Sequence, residues 1–131
     1  MARATIDYLS YQNLGTRTIP ALAHVSLTAD NLGDAVTFTA DYTVGLGSDG
    51  DPLIGKLDYL NVTLGHATVA VGDTLLFDGV SGALPSEKNH LVVNGAGAVR
   101  VATSADAGYQ YASKNIVVGV DSATRTVAVL F

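Results

Sequence analysis

The chain has 131 residues and a mass of 13.4 kDa, the size of one domain, and it is long enough to bury a core without metals or crosslinks. The absence of cysteine excludes disulfides, thiolate zinc sites and cysteine nucleophiles. A formal charge of −5 with seven scattered basic residues argues against nucleic-acid binding. We see neither a secretory signal nor an apolar run of membrane-spanning length, so we expect a protein made in a cytoplasm, without a membrane partner.

Residues 1–34 are predicted to form an N-terminal arm or irregular lead-in. Short apolar pieces are interrupted there by glycine and proline, and neither helical spacing nor strand alternation is sustained. Tyr8, Leu9 and Tyr11 stand close together in this stretch. We expect these three side chains to be ordered by contact with a partner.

Residues 35–131 carry the pattern of a β domain. Val36, Phe38, Ala40 and Tyr42 share one parity of an alternating run. Further strand-like runs, separated by regularly spaced turn signals, are LIGKLDYLNVTLG, ATVAVGDTLLFDG, HLVVNGAGAVRVAT and NIVVGVDSATRTVAVLF. We therefore predict an all-β fold, a small antiparallel β-barrel or sandwich with an extended N-terminal arm.

Two local features refine this prediction. The Asn94-Gly95 step after an apolar run is the favoured dipeptide of a two-residue hairpin. A helix over residues 52–60 is an alternative to a strand, because Asp51 can cap it and Pro52 suits a first helical position. The glycine at position 55 and the short length argue against that helix.

The stretch VGLGSDGDPLIG matches the letter of the dinucleotide fingerprint through Gly45, Gly47 and Gly50. That fingerprint requires a helix after its last glycine, which the sequence does not indicate, and Asp49 and Asp51 would repel a phosphate. The two aspartates also lack the glycine and glutamate that a calcium-binding EF-hand needs at its sixth and twelfth positions. We interpret the stretch as a turn whose glycines supply positive φ, with weak ion binding as the alternative.

The sequence predicts neither a catalytic centre nor a cofactor or metal site. His24, His66 and His90 have no metal-ligand spacing, no serine lies in a nucleophile elbow, and there is only one glutamate. The glycosylation sequon at 61–63 is interpreted as a strand tripeptide. Tyr109 and Tyr111 lie outside the strongest strand patterns, where an aromatic side chain more often meets a partner.

Three stretches resemble tailed-phage capsid decoration (cement) proteins: YTVGLGSDGDPLIGKLDYL, VNGAGAVRVA and NIVVGVDSATRTVAVLF. The shared features are a G-D-P-L-hydrophobic-G-K run, a hairpin around Gly-Ala-Gly, and a closing pair of strands. They cover roughly residues 35–131 and are turn and strand patterns, not catalytic signatures. The resemblance does not extend to the N-terminal arm.

The resemblance implies a non-enzymatic structural virion protein on the capsid exterior. Such proteins bind the major capsid protein, typically as homotrimers, and stabilise the shell. An arm that orders on binding fits this role, and repetition over a shell multiplies modest contacts. The alternative from another class is a soluble carbohydrate- or ligand-binding β module, whose discriminating feature would be exposed aromatic residues grouped on one face. A hydrolase is a more distant alternative.

Overall fold

The computed structural model describes residues 16–72, 74–112 and 114–131, and these residues are nearly all β. The all-β prediction is therefore confirmed. A short 3₁₀ helix (Ala29–Asn31) and the one-turn helix α1 (Tyr109–Ala112) complete the regular structure, and no helix in these ranges is long and apolar enough to cross a bilayer. The strands are β1 (Thr16–Ala23), β2 (Ala35–Ala40), β3 (Thr43–Gly45), β4 (Gly55–Asn61), β5 (His66–Gly72), β6 (Thr74–Asp78), β7 (Leu91–Val93), β8 (Val99–Val101), β9 (Ile116–Asp121) and β10 (Thr126–Leu130).

The first five strands form a closed barrel in the order β1-β3-β2-β4-β5. Its neighbours are antiparallel except for β1 and β3, which run parallel and pair only at Leu22 and Ala23. The later strands form a three-stranded sheet, β6-β10-β9, and a two-stranded sheet, β7-β8. The architecture is thus a small barrel with two further sheets.

Strand β1 corrects the prediction that residues 1–34 form an arm or irregular lead-in. Residues 16–23 belong to the barrel, where β1 pairs with β5 from Thr16 through Leu22. The sequence signal was weak because Pro20 interrupts the run. The nitrogen of Pro20 lies on the side of β1 that faces β3, like the amide of Leu22 two residues later. Since β3 pairs with β1 only at Leu22 and Ala23, no hydrogen bond is required from position 20, and proline is tolerated there.

The alternating run that starts at Val36 also differs from the single strand that its pattern predicts. It folds as β2 and β3 with a turn between them, in which Tyr42 adopts φ 54°. Val36 is buried, but Phe38, Ala40 and Tyr42 are exposed, so shared parity did not mean a shared buried face. The sequence pattern shows only that apolar and polar side chains alternate along the run. The stagger of the barrel strands determines which of those side chains are buried by neighbouring strands.

Three further local predictions have clear outcomes. The last pair of the β7-β8 register is Val93 with Val99, so the loop spans residues 94–98 and the prediction of a two-residue hairpin is wrong. The Asn94 side-chain oxygen accepts hydrogen bonds from the amides of Ala96 and Ala98 within this longer loop. Residues 55–61 form β4, so the alternative helix is absent there. The closing β9-β10 hairpin matches its prediction, with a turn over residues 122–125.

The hydrophobic core has two parts. One fills the barrel with Leu27, Val36, Val44, Leu57, Ala67 and Val69. The other joins the barrel to the later sheets and is built mainly from β6, β7, β9 and β10, with Leu75, Phe77, Leu91, Val117, Val127 and Val129 nearly inaccessible to water. This second part also includes Ala35 of β2 and Ala70 of β5. The burial of its apolar side chains therefore holds the barrel against the later sheets.

Candidate functional site

The glycine-rich stretch connects two strands of the barrel. Gly47 and Gly50 have positive φ values of 69° and 95° in the loop that leads to β4, as predicted, whereas Gly45 ends β3 without a positive φ. The Asp51 carboxylate accepts a hydrogen bond from the backbone amide of Ser48 at 2.9 Å, as in a local turn. The stretch leads into a strand, not into the helix that a dinucleotide fingerprint requires.

Asp49 from this loop takes part in a contact that the sequence did not reveal. The Arg100 guanidinium on β8 donates to the Asp49 carboxylate through Nε at 2.7 Å. It also donates to both carboxylate oxygens of Asp106, at 2.9 Å from Nη1 and 2.5 Å from Nη2. We call these three residues the arginine clamp. It joins the barrel loop, the β7-β8 sheet and the segment before α1.

The electrostatics of the arginine clamp follow from this geometry. The hydrogen bonds from Arg100, followed by that from the Thr103 amide, lower the pKa of Asp106 to about 2. The same pairing, first with Asp106 and then with Asp49, raises the pKa of Arg100. The Asp106 side chain is only 9% exposed, whereas Asp49 is 64% exposed, so the Asp106 pair is the better shielded from water. The single positive charge of Arg100 thus pairs with two carboxylates, and the arginine clamp has a net charge of −1.

Close backbone contacts hold the loop in the same place. The amide of Gly50 donates to the carbonyl of Val93 at 2.9 Å, and the amide of Gly108 donates to the carbonyl of Gly50 at 2.7 Å. A Cβ atom added to Gly108 would lie 2.5 Å from the backbone nitrogen of Pro52. Glycine is therefore required at position 108 for steric reasons. The loop serves as a junction between the barrel and the later sheets.

A second feature is an exposed apolar surface on the outside of the barrel. Leu22, Tyr42 and Tyr59 are 49%, 81% and 53% exposed. They border one shallow depression of about 480 Å³ together with Pro20 and His66. We call these five residues the barrel-face patch. Grouped large apolar side chains on a small domain are typical of a surface that contacts another molecule.

Strand register brings the barrel-face patch together from four separate parts of the chain. Leu22 on β1 lies opposite His66 on β5, and its amide donates to the carbonyl of Tyr42 at 2.6 Å. Pro20 and Tyr59 both lie opposite Thr68, from the two sides of β5. The sequence indicated none of this grouping, because residues 20, 42, 59 and 66 share no local period.

The patch continues into the turn between β4 and β5. Val62 and Leu64 are 64% and 63% exposed there. The turn includes residues 62 and 63 of the sequon at 61–63, so the prediction of a strand tripeptide is wrong for these two residues. Only Asn61 belongs to β4, and its side-chain oxygen accepts a hydrogen bond from the Leu64 amide at 3.0 Å. The apolar surface thus extends to the end of the barrel.

The three histidines lie in separate environments. The His24 ring contacts the Ser26 hydroxyl at 2.7 Å, the His90 ring contacts the carbonyl of Asn115 at 2.6 Å, and His66 belongs to the barrel-face patch. Within the described ranges, no three histidine or acidic side chains are grouped so as to hold a metal ion.

The predicted partner-contact residues divide into two sets. Tyr109 and Tyr111 on α1 are each about half exposed. Tyr8, Leu9 and Tyr11 lie outside the described residues, so their contacts remain a prediction. The clamp residues Arg100 and Asp106 were missed because they are separated from Asp49 by about fifty residues and carry no local motif.

No protein-family model matches the sequence, and no curated protein matches it.

Proposed function

We propose that this chain is a structural virion protein that decorates and stabilises a phage capsid. In this proposal it binds the major capsid protein on the outside of the shell, forms a homotrimer and carries out no catalysis. The proposal begins from the resemblance of three stretches to capsid decoration proteins. The barrel-face patch is the structural observation that supports it best.

The barrel-face patch suits contact with protein. Its large side chains leave the barrel outward, and its aromatic residues combine apolar area with a polar hydroxyl, as at many protein interfaces. The chain has few charges, at 15% of residues, and is thus suited to covering part of its surface with a partner. We assign the patch to contacts between copies, since three equivalent patches can meet around a threefold axis.

The N-terminal arm is the part that we assign to the shell. Tyr8, Leu9 and Tyr11 offer apolar and aromatic groups to a neighbouring major capsid subunit. Ordering a segment costs about 1–2 kcal/mol per residue in backbone entropy. Burying a large apolar side chain returns about 1.5–3 kcal/mol, so each of these three residues offsets the cost of ordering its own backbone. Repetition over a shell raises the total attachment further.

The first experiment measures oligomeric state and shell binding. Size-exclusion chromatography with light scattering is expected to give three times the chain mass. Expanded heads that lack this chain, prepared from the phage whose particles contain it, are expected to retain the purified protein on a sucrose gradient. A monomer that fails to sediment with those heads contradicts the proposal.

Matched tyrosine variants test the assigned surface. Replacing Tyr42 with Asn and Tyr59 with Ser should weaken the trimer, because both residues line the barrel-face patch. Asn suits position 42, whose φ is positive. Tyr109→Ser is the control, since Tyr109 is about as exposed as Tyr59 but lies on α1. Equal effects of the two sets would show that the patch does not form the trimer.

One observation favours a second candidate, the carbohydrate- or ligand-binding module. Tyr42 and Tyr59 border the same depression, and grouped aromatic residues are the feature expected of such a module. A glycan array and isothermal titration with any retained sugar distinguish the two. Specific sugar binding by a monomer, lost in the Tyr42→Asn and Tyr59→Ser variant, would favour the module over the decoration protein.

A further inference from the structure

A second surface depression is lined by β2, by the loop before β4, by α1 and by the last residue. Its volume is about 570 Å³, and its apolar side chains are Phe38, Pro52, Leu53, Ile54, Tyr111 and Phe131. Phe38 and Tyr111 remain 46% and 50% exposed. We call this depression the Phe38 groove. It offers apolar contacts to an extended segment of chain.

The edge of β2 adds backbone groups to the Phe38 groove. Strand β4 pairs with β2 only at Ala35 and Val36, and the carbonyl of Val36 accepts from the Ile54 amide. Backbone groups two residues further along a strand point to the same side, so those of Phe38 also point away from β3. Val44 on β3 lies opposite Phe38, and its carbonyl accepts from the amide of His24 instead of from Phe38. This confirms that Phe38 and Val44 do not bond each other. An extended peptide can therefore pair with β2 at Phe38.

The Phe38 groove also carries one charge of each sign, from Lys114 and Asp51. Lys114 lines it and forms no ion pair with any residue in the described ranges, where the ion pairs found all involve Arg100. Asp51 also lines the groove, and it accepts a hydrogen bond from the Ser48 amide of its own loop. An apolar segment with one carboxylate would match this lining.

Strand register places the groove at the end of the barrel where β1 begins. Thr16 lies opposite Gly72, and Lys56 lies opposite Ala70, so Ile54 lies near Gly72 on the other side of β5. Leu130 lies opposite Thr74, which brings Phe131 to the same end. Two strand spacings separate Thr16 from this edge of the groove, about 10 Å. Residues 12–15 span about 13 Å when extended, which is sufficient to reach it.

We propose that residues 6–11 bind in the Phe38 groove of their own chain when the protein is free of its shell. In an extended strand the segment IDYLSY has Asp7, Leu9 and Tyr11 on one side, so that Leu9 and Tyr11 face the apolar walls of the groove and Asp7 faces Lys114. Asp7 is the only acidic residue before Thr16. In the free chain, the groove thereby shields the large apolar side chains of the segment from water. When the chain binds a shell, the segment leaves the groove and buries the same side chains on the major capsid protein. The proposal concerns the free chain and does not require that its partner be a capsid.

Cross-linking of the full-length chain tests this placement, because the chain contains no cysteine of its own. The test variant is Ser10→Cys with Gln110→Cys, since Gln110 is exposed on α1 beside Tyr111. The control is Ser10→Cys with Val62→Cys, at the opposite end of the barrel. A short bis-maleimide is expected to link the test pair within one chain, several-fold more than the control pair. Equal yields, or links between chains only, would overturn the proposal.

A charge exchange tests the assigned ion pair in the same assay. Lys114→Glu is expected to lower the 10–110 cross-link, and adding Asp7→Lys is expected to restore it. Lys88→Glu is the matched control, since Lys88 is exposed in a loop that does not line the groove. Circular dichroism confirms that each variant is folded. If Lys114→Glu leaves the yield unchanged, or Asp7→Lys fails to restore it, the assignment of Asp7 to Lys114 is wrong.

The proposed function fails separately from this inference. Sedimentation with expanded heads reports shell binding, whereas the cross-link reports the free chain. A chain that is cross-linked as expected but does not bind heads retains the groove assignment and loses the capsid assignment. The reverse result rejects the groove assignment alone.

Discussion

Replacing Arg100 with Met should destabilise the fold by about 2 kcal/mol at neutral pH. The change removes the two hydrogen bonds to Asp106 and the one to Asp49, while Met preserves much of the side-chain volume. Exposed ion pairs contribute about 0.2–1 kcal/mol, and loss of one partner from a buried pair costs about 3–5 kcal/mol. Asp106 is 9% exposed and keeps its bond from the Thr103 amide, so the expected cost lies between these ranges.

The pKa of Asp106 gives a second route to the same magnitude. Its lowering from the usual 3.8 to about 2 corresponds to about 2 kcal/mol, at about 1.4 kcal/mol for each pH unit. A lowered pKa stabilises the folded state above pH 3.8, and this contribution is lost as the pH falls toward 2. The stability difference between wild type and Arg100→Met should therefore be full at pH 7 and shrink between pH 4 and pH 2.

Urea unfolding followed by far-UV circular dichroism measures this difference, and the chain has no tryptophan for a fluorescence signal. Protein concentration is held constant because an oligomer would gain stability by mass action. Arg17→Met is the control: Arg17 is exposed on β1 and has no ion pair with a described residue. A loss in Arg100→Met no larger than in Arg17→Met, or one that persists at pH 2, would refute the role assigned to the clamp.

Three other changes have definite expected outcomes. Asn115→Ala should lower the free energy of unfolding by about 2–3 kcal/mol in the same assay, because the buried Asn115 side chain bonds both the amide and the carbonyl of Leu91. The control Asn89→Ala, in a part-exposed turn, should cost less, and equal costs would contradict this reason. Gly108→Ala should lower the melting temperature by several degrees, because its Cβ would clash with the Pro52 backbone. An unchanged melting temperature would show that the backbone at this junction shifts to make room for the Cβ. Deleting residues 2–11 should leave the trimer intact by light scattering and weaken attachment to undecorated heads; monomers that still decorate heads normally would show that the two roles are reversed.

Local patterns were sufficient for most of the strands after Ala35. The alternation and turn residues around β4, β5, β6, β9 and β10 predicted elements that the structure contains, because β-branched side chains and glycine turns act over a few neighbouring residues. The positive φ at Gly47 and Gly50 was likewise predictable from composition. Strand β1 was missed, since its stability comes from pairing with the whole of β5 and not from its own pattern.

The sequence by itself determined that this is an all-β chain without cysteine chemistry, in which a glycine-rich turn joins two strands. Only the tertiary structure decided that Asp49 meets Arg100 and Asp106, and that Leu22, Tyr42 and Tyr59 share one face. The physical reason is the same in both cases. Side-chain periodicity acts along one strand, whereas closure and stagger of the barrel determine which distant residues become neighbours and which alternate face is left in water.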